Sequence, residues 1–298
     1  MIVGDTHGNS TFVCDYIYPT AAKVGAACIV QVGDFGYWEH AEEGIQYLDL
    51  LSDAAAVFDI PLYWLHGNHD KHSLALQLYG DNRTVDGFLW CRPRINYIPQ
   101  GHSWMWAGVG MRAFGGAYSV DKQARLDYER KLNEKALRKE EFRREAGRPP
   151  LIPESFDESC WFPEEQMTDE EFAELMAEDV GPVDIIFSHD KPRASNLGNG
   201  VTLKDELECF PNQDRLQAAM LAHKPKYWFH GHLHYAYVDT VRCGDDDQFT
   251  CVVGLGPDEK AAPRFWRPTD SWCVVDIADG EIERVIRGRY ALDHSTGD

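Results

Sequence analysis

Five short pieces of the sequence carry side chains able to do chemistry: Gly4-Asp5-Thr6-His7, Gly33-Asp34, Gly67-Asn68-His69-Asp70, Ser188-His189 and Gly231-His232-Leu233-His234. Carboxylates, imidazoles and a carboxamide form a mixed oxygen and nitrogen donor set, which suits Mn, Fe, Ni or Zn; an all-oxygen set would point to Mg or Ca. Each piece alone is weak, because Asp-x-His and Gly-Asp arise by chance in many chains. A lone histidine such as His189 is ordinarily structural, but its place after a buried run and between the other pieces argues for a donor. His66, His72, His102, His223, His230 and His294 lack that support and read as structural. Glycine before a donor permits a tight strand-to-loop turn. His232 and His234, two residues apart, would face one side of an extended segment.

Such residues act together only if the fold brings them to one place. Apolar runs at 2–3, 28–32, 61–65, 183–187 and 227–229 read as buried strands. Between them, 11–24 (Phe12, Ile17, Ala21, Val24), 43–58 (Ile45, Leu48, Leu51, Ala55) and 213–223 read as helices. Short apolar runs alternating with helices mean strands covered on both faces, an α/β fold. Asp5, Asp34, Asn68, His189 and His232 each follow a predicted strand. Ligands of open α/β sheets bind outside the carboxyl ends of the strands, so these residues are expected to share one site.

Residues 88–111 hold short aromatic strand-like pieces (88–90, 104–106), as a sheet extension would. Residues 121–148 are densely charged and helical, and 154–179 carry many acids with no Lys or Arg. A single domain over 1–298 is expected, with an insertion or cap over the strand ends at 112–179. The alternative for that segment is a solvated helical hairpin without a catalytic role. Strands return over 249–286, with Asp279-Gly280 as a hairpin turn.

With 298 residues, 44% hydrophobic and 26% charged, the chain has an ordinary globular balance and enough length for a core without staples. No apolar run approaches the roughly 20 residues of a membrane span. The opening Met1-Ile2-Val3-Gly4-Asp5 leaves no room for a removable leader, so a cytoplasmic location is expected. The eight cysteines form no C-x-x-C pair and read as reduced, buried hydrophobes. A net charge of −20 argues against general electrostatic binding of nucleic acid, whose backbone is held by Lys and Arg.

In order and spacing the five pieces resemble the five-part signature of calcineurin-like metallophosphoesterases, D-x-H, G-D, G-N-H-[D/E], H and G-H-x-H, from Asp5 to His234 with no position missing. The resemblance implies an α/β sandwich of two mixed β-sheets flanked by helices. It also implies two divalent ions, Mn2+ first, with Fe, Ni or Zn as alternatives. Asp5, His7, Asp34 and His234 would hold one ion; Asp34, Asn68, His189 and His232 would hold the other, with Asp34 shared. Paired ions about 3.5–4 Å apart polarise a phosphoryl group and generate hydroxide at neutral pH. The implied reaction is in-line attack by a metal-bridging hydroxide, without a covalent intermediate. His69, a non-ligand, would protonate the leaving oxygen or stabilise its charge, and Asp70 would orient His69 and keep it basic.

Branches of the superfamily separate by what is absent. The segment Asp34-Phe35-Gly36-Tyr37-Trp38 lacks the Arg that protein phosphatases carry after the bridging Asp. Tyr37 fits the Gly-Asp-x-x-Tyr of purple acid phosphatases, but those proteins lack the histidine present here as His7, so Tyr37 reads as a structural aromatic. The segments from Phe114 to Asp121 and from Cys160 to Glu165 look like those of small bacterial and phage-encoded members, some of which hydrolyse phosphodiesters, including cyclic nucleotides. A small phosphodiester is therefore the expected substrate, with nucleic acid a partner only as substrate. A phosphomonoesterase, a nuclease and a non-catalytic phospholigand-binding module are the alternatives. Gly115-Gly116 offers a hinge or a close backbone approach, and Lys122 and Arg125 are placed to reach a substrate phosphate.

Overall fold

The computed structural model describes residues 1–37, 42–149, 155–196, 206–244, 247–261 and 266–294; Trp38, Glu154 and the side chain of His294 lie outside what is described. One sheet contains β1 (Ile2–Val3), β2 (Ile29–Val32), β3 (Leu62–Leu65), β4 (Leu89–Arg92) and β5 (Ile95–Tyr97). The other contains β6 (Ser103–Trp106), β7 (Val109–Phe114), β8 (Ile185–Ser188), β9 (Tyr227–His230), β10 (Tyr237–Arg242) and β11 (Phe249–Gly254). The closing hairpin, β12 (Trp272–Ala278) and β13 (Glu281–Arg287), returns to the first sheet, giving the orders β13-β12-β1-β2-β3-β5-β4 and β10-β11-β9-β8-β7-β6. Each sheet has a parallel centre, β1-β2-β3-β5 and β7-β8-β9-β11, with antiparallel strands at its edges. This is the two-sheet α/β sandwich that the motifs imply.

Strand alternation explains the layers. In β2, Ile29 packs into the helix-covered outer face, while Val30 and Val32 point between the sheets. There they meet Met111, Ile185, Phe187 and Phe229 of the second sheet. Both faces of the parallel strands are thus apolar, which is why these runs are continuous rather than alternating in sequence. Over the outer face of the first sheet, α1 (Tyr18–Lys23) and α2 (Glu42–Phe58) bury Ala21, Leu48, Leu51 and Ala55; Ile45, expected on that stripe, is exposed. The predicted helix over 11–24 begins as a π-helical stretch, Phe12–Ile17, before α1. Asp279 and Gly280, at φ 51° and 82°, form the two-residue turn of the last hairpin, as an Asp-Gly pair should. After α3 (His72–Tyr79), the long helix α4 (Lys122–Glu145) and the short α5 (Asp169–Ala177) occupy the connection from β7 to β8. The remaining α-helices among the described residues are α6 (Glu206–His223) and α7 (Gly288–His294), and α6 starts earlier than the predicted 213, passing through Pro211. No helix among the described residues is long and apolar enough to cross a membrane.

The start of the expected insertion needs correcting. Arg112 lies inside β7, fully buried, so the segment leaving the sheet begins only after Phe114. A charged residue in a central strand reads as a loop unless its partners are known. Here the guanidinium donates to the carbonyls of Gly101 and Leu175 and meets His223.

Candidate metal centre

Parallel strands deliver the candidate residues to one edge of the sandwich. Asp5, Asp34 and Asn68 follow the adjacent strands β1, β2 and β3, while His189 and His232 follow β8 and β9 across the interface. Four of the clustered residues, none a glycine, adopt left-handed backbone: His7 (φ 44°), Asp34 (49°), His232 (64°) and His234 (53°). Such conformations cost about 1–2 kcal/mol each and persist where the surroundings hold them. Here Thr6 and His7 donate to the Asp34 carbonyl (3.1 and 2.8 Å), and the His232 N–H donates to Asp5 Oδ1 at 2.9 Å. His232 and His234 therefore converge through a left-handed turn, not through the extended segment expected of them. Of the glycines before these residues, Gly33 has positive φ (93°). Gly67 and Gly231 are needed for space: a Cβ on Gly67 would overlap Asp34 Oδ1, and one on Gly231 would overlap Asp5 Oδ1.

Asp34 is the hub. Its Oδ2 lies 3.5 Å from His7 Nε2, and its Oδ1 lies 3.2 Å from His189 Nε2. On the first side, His234 Nε2 is 3.1 Å from Asp5 Oδ2, and Asp5, His7, Asp34 and His234 each offer an atom within 4.8 Å of all the others. On the second side, His189 Nε2 is 3.1 Å from Asn68 Oδ1, and the His189 and His232 rings are 5.0 Å apart. Hydrogen bonds set which atoms face inward. His189 Nδ1 donates to the Val32 carbonyl (2.9 Å), so Nε2 is the nitrogen turned toward Asp34 and the one that would give up its proton to an ion. Asn68 Nδ2 donates to Ser119 Oγ (2.9 Å), which turns its carbonyl oxygen toward His189.

The electrostatics call for positive charge. Burial opposes ionisation of Asp34, yet the charges of His69 and His189 and hydrogen bonds from His189 and His7 hold its pKa well below the usual range. Burial would likewise lower the His7 pKa, but Asp258, Asp34 and Asp5 raise it to about 11. His189 follows, raised to about 9 by Asp34 and Asp5 against burial. Buried carboxylates that keep protons on imidazoles will exchange those protons for divalent cations, and the mixed donor set suits Mn, Fe, Ni or Zn. The residues present fit the expected ions.

His69 stands beside this centre, its Nε2 3.7 Å from Asp34 Oδ2. Asp70, expected to orient it, does something else. Its Oδ1 accepts the N–H groups of Gly36 and Tyr37 (both 2.8 Å), and its Oδ2 accepts those of Phe35 (2.9 Å) and Gly67 (2.8 Å). All four acceptor sites of the carboxylate are used on backbone, which staples the loops after β2 and β3 together. Burial and the Asp34 charge push its pKa up to about 6 against the N–H groups of Gly67, Phe35 and Gly36. The partner of His69 is Arg125, whose Nη2 lies 3.1 Å from Nε2. Burial, together with the Arg125 charge, lowers the His69 pKa to about 4 despite Asp34, the reverse of the expected basic imidazole.

Tyr37 is buried against Trp64, as a structural aromatic would be. His66 bonds Tyr97 and His230 bonds Tyr237 away from the centre. Gly115 and Gly116 are close-approach positions, since a Cβ there would strike His66 and the Glu165 carbonyl. Ser119 and Asp258 contact the centre without having been anticipated. Asp258 obeys the same strand-end rule as the others, following β11, the fourth parallel strand of its sheet. No protein of curated function matches the chain. The family model for calcineurin-like phosphoesterases matches residues 1–236, from the first strand through the Gly-His-x-His turn. The chain thus belongs to the calcineurin-like phosphoesterases and is a metal-dependent hydrolase of phosphoric esters.

Proposed function

We propose that the chain hydrolyses small phosphodiesters, cyclic nucleotides among them, with two divalent ions, Mn2+ in first place. Asp5, His7, Asp34 and His234 hold one ion, and Asp34, Asn68, His189 and His232 hold the other. The observation that carries this reading is Asp34, whose two buried oxygens face different donor sets, His7 at 3.5 Å and His189 at 3.2 Å. Ions held there would polarise the phosphoryl group and acidify a coordinated water. The protein supplies position and protons. Arg125, steadied by Asp121 Oδ1 (2.7 Å) and the Cys160 carbonyl (2.8 Å), holds His69 until a phosphoryl oxygen takes its place. Once released, His69 Nε2 can take a proton from solvent and pass it to the leaving alkoxide.

A singly charged diester suits this mouth better than a dianionic monoester, because the protein carries a net charge of −20 and Arg125 brings one cation to His69. The segment after β7 acts as a cap that sets substrate choice, and its Ser119 and Arg125 reach the centre. All eight cysteines are thiols, which supports a reducing, cytoplasmic setting. The test is to assay an aryl phosphodiester and the matching monoester with chelated and Mn2+-restored protein. We expect no turnover after chelation, recovery with Mn2+, and kcat/KM at least about tenfold higher for the diester. Binding of phosphate without turnover would make the chain a binding module, and a monoester preference would overturn the substrate assignment.

A further inference from the structure

We infer that Asp258 is a positioning residue for the metal centre, fixing which nitrogen of His7 faces the ions; the inference rests on the two-ion reading above. Asp258 lies beyond the residues matched by the family model, in the loop after β11. It is fully buried, and its Oδ2 sits 3.2 Å from His7 Nδ1. Its other oxygen is already engaged, accepting the N–H groups of Lys260 (2.6 Å) and Ala261 (3.3 Å). Its own N–H donates to the Asp5 carbonyl at 2.8 Å. A neighbouring bond, Asn9 Nδ2 to Glu259 Oε1 at 3.0 Å, ties the same two loops together. The loop carrying His7 is therefore registered against a segment some 250 residues away in sequence.

An ionised carboxylate only accepts, so His7 Nδ1 must carry the hydrogen. In the neutral ring that would bind an ion the lone pair is then on Nε2, the nitrogen that faces Asp34 Oδ2. A carboxylate behind a metal-facing imidazole fixes its tautomer and raises its basicity, and losing such a partner costs about 10–100-fold in metal affinity.

The chemistry predicts an unusual ranking of variants. In Asp258→Asn the carbonyl oxygen stays with its two backbone donors, which turns the NH2 group toward His7. Nδ1 must then accept, and the hydrogen moves to Nε2, where it blocks an ion. Asp258→Ala leaves His7 free to choose its tautomer. The near-isosteric Asn should therefore damage metal binding more than Ala, whereas a purely structural residue would give the opposite order.

The test is calorimetric titration of chelated wild type, Asp258→Asn and Asp258→Ala with Zn2+, and 15N-histidine spectra of the Zn2+-loaded wild type. We expect two ions in the wild type. In Asp258→Asn one ion should keep its affinity while the other weakens at least about tenfold, and more than in Asp258→Ala. The wild-type spectrum should show His7 protonated at Nδ1. Unchanged affinity in Asp258→Asn, or a milder defect than in Asp258→Ala, would overturn the inference. So would His7 bound through Nδ1, a result that stands even if neither variant folds. A wild type that takes up fewer than two ions would instead remove the two-ion reading on which the inference stands.

Discussion

Arg125 on α4 donates from Nη2 to His69 Nε2 across 3.1 Å, while the same guanidinium grips Asp121 and the Cys160 carbonyl. The cap segment and the metal centre therefore meet through one side chain. Arg125 satisfies both readings open to it from sequence, since it pairs with a neighbouring carboxylate and also points at the site. An exposed ion pair alone would be worth about 0–1 kcal/mol, too little to explain its placement.

Arg125→Ala should cut kcat/KM for an aryl phosphodiester by a factor on the order of ten or more, as for a lost charged hydrogen bond of ~1.5–3 kcal/mol. Arg125→Lys should not restore the rate, because a single ammonium cannot reproduce the fork that spans three acceptors. Steady-state kinetics on both variants checks this, and wild-type kinetics in the Ala variant would return Arg125 to the solvated face.

His69 and Asp34 should separate in a metal count. His69→Ala is expected to lose rate while keeping its ions, whereas Asp34→Ala removes the carboxylate shared by both donor sets and loses at least one ion. Elemental analysis after Mn2+ reconstitution decides. Equal metal loss in the two variants would mean that their roles are misassigned.

The site was legible in sequence wherever a donor directly follows a strand. Asp5, Asp34, Asn68, His189 and His232 sort to one edge because parallel strands share a carboxyl end, and apolar runs reveal parallel strands. Asp258 obeys the same rule, but a single aspartate among 49 acidic residues carries no mark of its own. Asp70 was misread because its four partners are backbone N–H groups, which leave no trace in residue type. The left-handed turn at His232 and His234 was likewise hidden, since neither residue is a glycine.

Asp70→Ala should act on stability. Removing its carboxylate strands four backbone N–H groups, three after β2 and one after β3, at about 1–3 kcal/mol for each donor left buried without a partner. Urea denaturation of the metal-free protein should show a midpoint well below wild type. A normal midpoint together with a collapsed rate would restore a catalytic role to Asp70.

Gly67→Ala and Gly231→Ala should each weaken metal binding through crowding, because the added methyl group would overlap an oxygen of Asp34 or of Asp5. At least one ion should be lost from each in a Zn2+ titration. Wild-type affinity in both would show that the loops relax and that the space is not needed.

The most direct test of the central claim is the rate of aryl phosphodiester hydrolysis as Mn2+ is returned, in counted equivalents, to fully chelated protein. The account predicts no turnover without metal and a rate that levels off only at two ions per chain. Full activity in the chelated protein, or a plateau at one ion, would contradict it.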